Sequence, residues 1–175
     1  MSDKDAALAV ILRAIQNELV GRRFYDDAAY HCIDPWAKEV FATLAHDEDS
    51  HVHLLLVEYE TISAGGRWLE TDHALAVEPG IAVSDLTFDG EIGPPDLFQG
   101  EATDVVDRKA SDLLALATAI DMEQKAIALY CTQAEQVAHP AARAVYEYLV
   151  EEERRHDRLL KERWEALTGV PFGPQ

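Results

Sequence analysis

Cysteine is nearly absent. Cys32 and Cys131 are the only two and no Cys-x-x-Cys pair occurs, so neither a disulfide framework nor a thiolate-ligated metal site can be assembled. Both read as buried free thiols. Positive charge is also scarce, with 15 Lys plus Arg against 33 Asp plus Glu and a formal net charge of −18. That balance argues against nucleic-acid or anionic-membrane partners and would steer cations instead. Long apolar runs are missing as well. The longest aliphatic stretch, Leu54 to Val57, is far too short to span a bilayer. The opening Met-Ser-Asp-Lys-Asp puts charge where a signal peptide needs an apolar core, so a cytoplasmic location is expected. What is present is hydrocarbon: 48% of the 175 residues are hydrophobic, enough for a single domain over 1–175 with a sizeable core.

Apolar residues recur at three- and four-residue intervals over about 5–32, 35–63, 104–137 and 140–168, which predicts four long helices. Asp34-Pro35 and His139-Pro140 supply helix starts, and Gly169 with Pro171 closes the last helix. The short breaks at 33 and 138 make two helical hairpins. Between them, about 63–103 carries Ala-Gly-Gly, Glu-Pro-Gly, Asp-Gly and Gly-Pro-Pro, which break helices and predict one long crossover. A strand-like piece is expected at Ile81 to Val83.

Each helix carries an apolar stripe interrupted near its middle. Glu18 interrupts the first, Glu48 and His51 the second, Glu123 the third, and Glu153 and His156 the fourth. Four carboxylates and two imidazoles therefore occupy positions where a core wants hydrocarbon. An internal repeat sharpens the pattern: adding 105 to a residue number carries Glu18 to Glu123, Tyr25 to Tyr130, Glu48 to Glu153 and His51 to His156. Glu18 lies 15 residues before Ile33 and Glu48 lies 15 after it, so an antiparallel hairpin brings both to one height; Glu123 and Glu153 bracket Ala138 in the same way.

Residues three apart on a helix project side by side, so Glu48-x-x-His51 and Glu153-x-x-His156 can each grip one ion. Together with Glu18 and Glu123 they make a set suited to two metal ions about 3.5–4 Å apart. Oxygen-rich ligands with one imidazole per ion suit iron or manganese. A metal-free polar network is the competing reading, and it would leave buried charges partly satisfied at considerable cost.

These residues resemble the ferritin-like di-iron carboxylate superfamily, and most closely its rubrerythrin-type branch. The resemblance covers 5–63 and 104–168 through the pattern Glu18, Glu48-x-x-His51, Glu123, Glu153-x-x-His156. It implies an all-α, ferritin-like four-helix bundle made of two antiparallel hairpins joined by the crossover. It also implies a catalytic cofactor of two iron ions, with manganese or zinc as substitutes. Glu18, Glu48 and His51 would serve one half of the centre and Glu123, Glu153 and His156 the other, with Glu48 and Glu153 bridging. Two departures stand out. The branch carries a further glutamate where this sequence has Ala126, and it commonly ends in a rubredoxin domain that this sequence lacks, so electrons are expected from an external donor protein.

Several neighbours have candidate roles of their own. Asp47 and Glu152 precede the ligand glutamates and are candidates to orient His156 and His51 respectively through the distal N–H. Tyr25 and Tyr130 stand seven residues beyond Glu18 and Glu123, on the same stripes, as core tyrosines with satisfied hydroxyls or as electron relays. Arg22 and Glu58, also on stripe positions, read as an inter-helix ion pair, and His46, His53, His73 and His139 as solvated or capping residues. The resemblance points to reduction of hydrogen peroxide or activation of dioxygen. A di-iron hydroxylase, a ferroxidase acting on ferrous ion and a non-enzymatic scaffold are the alternatives. A homodimer is expected, formed by exchange of one hairpin.

Overall fold

The chain turns sharply at Asp34 and again at His139, and those two turns create the architecture. The structure, a computed structural model, describes residues 3–88 and 105–173. Helix α1 spans Asp3–His31, α2 Pro35–Gly65, α3 Thr71–Ala76, α4 Val105–Gln136 and α5 Pro140–Thr168, with a 3-10 turn at Val83–Asp85. The four long helices match the expected spans to within about two residues. Asp34 starts α2 by accepting the Ala37 N–H at 2.6 Å, with Pro35 in the first turn where its missing N–H costs nothing. At the other end Gly66, at φ 71°, donates its N–H to the Ile62 carbonyl and stops the helix; Gly169, at φ 75°, does the same for α5.

α1 packs along α2, and α4 along α5, as two antiparallel hairpins whose apolar stripes meet in one bundle. The core divides into two apolar clusters. One contains Ile11, Ile15, Leu54, Leu55, Tyr130, Tyr146 and Leu149, and the other contains Phe24, Tyr25, Phe41, Leu44, Leu116, Ile120 and Leu160. Along every long helix the chain passes from one cluster to the other at the interrupting carboxylate. A polar layer is thus clamped between two hydrocarbon layers, which exclude water from it.

The two hairpins are pinned together at one end by Asp112 of α4. Its carboxylate, 2% exposed, accepts the N–H groups of Ile33 at 3.1 Å and Asp34 at 2.9 Å, and Arg163 of α5 pairs with Asp34. Orphan backbone donors of the α1–α2 turn are therefore satisfied from the opposite hairpin. Cys32 is buried beside this node, whereas Cys131 is only part-buried.

The crossover differs from expectation in two respects. Its first part holds the short helix α3, because the six residues Thr71–Ala76 fall between the Gly65-Gly66 and Pro79-Gly80 breakers and retain helical character. Ile81 to Val83 is not a strand: Asp85 accepts the Ala82 N–H at 2.9 Å and curls the chain into the 3-10 turn. Trp68, Ala74, Leu75, Ile81 and Leu86 lie on the first apolar cluster and cover a second side of α2, which is why Leu54 through Glu58 are buried without interruption. His53, expected to be solvated or capping, fastens this cover through a 2.9 Å hydrogen bond between its Nε2 and the Val77 carbonyl. The remainder of the expected crossover, 89–103, lies outside the described residues. Among the described residues no helix is long and apolar enough to cross a membrane.

Candidate metal centre

The stripe interruptions converge. Glu18, Glu48, His51, Glu123, Glu153 and His156 are all at most 3% exposed and form one layer across the four long helices. Their acceptor and ring atoms fall into two overlapping groups: Glu18, Glu48, His51 and Glu153 in one, and Glu48, Glu123, Glu153 and His156 in the other, with all atoms of a group within 4.8 Å of one another. Glu48 and Glu153 belong to both. The three-residue spacing does the local work, placing His51 Nδ1 2.9 Å from Glu48 Oε2 and His156 Nδ1 3.0 Å from Glu153 Oε2. His51 Nδ1 also lies 3.2 Å from Glu18 and 3.3 Å from Glu153, and His156 Nδ1 lies 3.6 Å from Glu123 and 3.7 Å from Glu48. The two imidazoles stack with centroids 5.5 Å apart.

So many acids in one dry layer compete for protons. Burial, reinforced by Glu18 and Glu153, raises Glu48 well above the carboxylate range; burial and Glu153 raise Glu123 to about 8. Burial acts on Glu153 in the same direction, but hydrogen bonds from His156 and His51 outweigh it and hold this acid low. Burial lowers the affinity of His156 for a proton, yet Glu123 and Glu153 overcome that and raise it to about 9; His51 is raised for the same reason by Glu153, Glu18 and Glu48. Even so, Glu153 Oε1 is buried with no well-aligned hydrogen bond, its near neighbour being His51 Nδ1 at 3.3 Å. A buried carboxylate oxygen so poorly satisfied, among three other carboxylates, fits a cation-binding layer and is costly otherwise.

The hairpins reach across to each other through the two tyrosines. Tyr25 of α1 donates its hydroxyl to Glu123 Oε1 of α4, and Tyr130 of α4 donates to Glu18 Oε1 of α1. Each lone glutamate is therefore oriented by the tyrosine of the other half. Asp47 lies with its Oδ2 3.4 Å from His156 Nε2, and Glu152 lies within 4.8 Å of a ring nitrogen of both histidines. Arg155, which sequence reasoning passed over, ties these two acids together by donating to Asp47 at 2.7 Å and to Glu152 at 2.8 Å. The expected Arg22–Glu58 pair does not form. Arg22 is half-exposed and bonds Asp49 of α2 at 2.9 Å, while Glu58 is fully buried and accepts the Leu69 N–H at 3.1 Å. The stripe position fixed neither the burial of Arg22 nor the partner of Glu58, to which the crossover presents a backbone donor.

Between α1 and α4 a cavity of about 400 Å³ opens onto the layer, a volume in the range of small-molecule sites. Glu18, Glu48, Glu123 and Glu153 lie in its wall, the apolar lining includes Val20, Met122, Ala126 and Leu129, and the exposed Arg13 and Lys125 also line it. Ala126 stands where the resemblance would place another glutamate, and its small side chain leaves that volume open.

Comparison with known proteins bears on the fold that carries this layer. Residues 112–170 match the model of the rubrerythrin family. A hypothetical protein from Pyrococcus furiosus superposes with a TM-score of 0.67 at 23% identity, over 95% of this chain and 93% of the other. A two-domain protein from Anabaena variabilis, containing DJ-1/ThiJ/PfpI-like and ferritin-like domains, superposes with a TM-score of 0.65 at 13% identity; the match covers 99% of this chain and 43% of that one. No curated protein matches the sequence. The chain thus has the ferritin-like fold, and its second hairpin is rubrerythrin-like in sequence.

Proposed function

We propose that the six-residue layer holds two iron ions, replaceable by manganese or zinc, and that the protein is a redox enzyme reducing hydrogen peroxide or activating dioxygen. The observation that carries this reading is the pair of overlapping ligand groups sharing Glu48 and Glu153. Glu18 and His51 would serve one ion, Glu123 and His156 the other, and Glu48 and Glu153 both. Two bound irons would supply the two electrons that cleavage of an O–O bond consumes.

The surrounding residues prepare the layer for that task. The hydrocarbon clusters exclude water, which strengthens every electrostatic interaction inside. Tyr25 and Tyr130 hold Glu123 and Glu18 in place, and the Asp47–Arg155–Glu152 bridge holds the acids that face the imidazoles. The cavity between α1 and α4 is the route by which an oxidant reaches the carboxylates. Its volume exceeds what peroxide needs and favours a second reading, oxidation of a small organic substrate.

Anaerobic loading with ferrous iron, followed by rapid mixing with hydrogen peroxide or dioxygen while near-ultraviolet absorbance is followed, tests the proposal. Faster oxidation by peroxide supports a peroxidase supplied by an external electron donor. Equal or faster oxidation by dioxygen with turnover of excess ferrous ion would make the protein a ferroxidase, and no oxidation by either would overturn the redox reading.

A further inference from the structure

The internal repeat preserves an aromatic geometry but not its chemistry. Tyr25 stacks on Phe41 with centroids 6.1 Å apart and planes at 21°. Their counterparts 105 residues on, Tyr130 and Tyr146, stack at 6.3 Å and 19°. Beyond Phe41 the next ring is Phe24, edge-on at 6.3 Å. Beyond Tyr146 the next ring is Trp68 of the crossover, at 5.7 Å. Phenylalanine does not give up an electron under conditions in which tyrosine and tryptophan do, so only the second arm is a chain of oxidisable rings. That chain runs from Glu18, bonded to the Tyr130 hydroxyl, through the buried Tyr130 and Tyr146 to Trp68, which is 9% exposed. The backbone beside Trp68 is anchored from inside the core, where Glu58 accepts the N–H of the adjacent Leu69.

We infer that Trp68, Tyr146 and Tyr130 form a one-electron path between the protein surface and the carboxylate layer at Glu18, and that a soluble one-electron donor is served at the Trp68 edge. This rests on the redox reading above and specifies where its electrons come in. Tyr130 yields one electron to the oxidised metal pair that the layer would hold, while its phenolic proton passes along the existing hydrogen bond to Glu18. Tyr146 refills Tyr130, Trp68 refills Tyr146, and the donor, oxidised by one electron, refills Trp68. The proton then returns to Tyr130, so the path residues end unchanged.

The path is testable without metal. In a Tyr30→Phe/Tyr59→Phe/Tyr148→Phe background, the three tyrosines that remain of the six are Tyr25, Tyr130 and Tyr146, all at most 2% exposed. One-electron photo-oxidation of this metal-free protein by ruthenium tris-bipyridine and persulfate, a sensitiser too bulky for the core, is expected to give a tyrosyl paramagnetic resonance signal. Adding Trp68→Phe or Tyr146→Phe is expected to remove most of it while circular dichroism stays unchanged; Phe41→Tyr serves as the packing control and should leave it intact. An absent signal in the parent, or one undiminished in both variants, overturns the path. In iron-loaded protein, Trp68→Phe should leave oxidation by peroxide unchanged and slow re-reduction by a reduced flavoprotein by about tenfold. Failure to load iron would defeat the redox reading alone, because the metal-free result stands independently.

Discussion

Replacing Glu58 by glutamine isolates the cost of keeping an acid in the core. Glu58 is fully buried with the Leu69 N–H as its hydrogen-bond donor. Burial raises its pKa from 4.5 to about 7, and the Leu69 bond offsets only part of that rise. In the unfolded chain Glu58 ionises near its ordinary pKa, while the folded chain keeps the proton. Its contribution is therefore fully present below pH 4.5, is lost as pH rises through about 7, and is constant above that. At about 1.36 kcal/mol per pKa unit, a gap of this width sets a ceiling of about 3 kcal/mol. The glutamine side chain of the Glu58→Gln variant would stay neutral at every pH and keep a carbonyl for Leu69. The variant should therefore match the wild type at the acid end and exceed it in alkaline solution, by up to roughly 6–12 °C in Tm. Thermal melts of both metal-free proteins from pH 4 to 8, followed by circular dichroism, measure the difference directly, because the carboxylate layer contributes equally to each. A difference independent of pH, or a variant less stable than wild type above pH 7, would refute the reasoning.

Other perturbations read out other parts of the account. Asp47→Asn removes the acid facing His156 Nε2 and should weaken iron affinity by about 10- to 100-fold in equilibrium titrations; unchanged affinity would deny Asp47 that role. Ala126→Leu intrudes on the cavity between α1 and α4 and should preserve iron stoichiometry and hydrogen peroxide reactivity while slowing oxidation by tert-butyl hydroperoxide by about tenfold. No slowing of either peroxide would place the access route elsewhere. Asp112→Ala strips the turn at Ile33 and Asp34 of its acceptor and should cost about 1–3 kcal/mol in denaturant unfolding, with Asp112→Asn recovering part of it.

The four long helices were legible because their stripes and stop signals agree, and the six-residue layer because its spacing is geometric: i, i+3 pairs and equal distances from a turn. What escaped is what spacing does not encode. Arg155 and Asp112 look, in sequence, like any charged residue on a helix, and only the approach of the second hairpin reveals that one bridges Asp47 to Glu152 and the other caps the α1–α2 turn. Glu58 was recognisable as buried, but its partner arrives from a crossover whose path no periodicity describes. The same crossover sets Trp68 against Tyr146. Ile81 to Val83 has strand-forming residues but no neighbouring strand to pair with among the described residues, and a local Asp85 bond decides its shape. The cavity beside Ala126 is a gap between helices, visible only once both are placed.

The central claim is that Glu18, Glu48, His51, Glu123, Glu153 and His156 form a two-metal site. Incubation with excess ferrous iron under anaerobic conditions, desalting, and elemental analysis tests it most directly. The account predicts two irons per chain in the wild type and loss of at least one in Glu153→Ala, whose carboxylate belongs to both ligand groups, with the helical spectrum retained. Less than one iron per chain in the wild type, or a full complement in the folded Glu153→Ala variant, would contradict it.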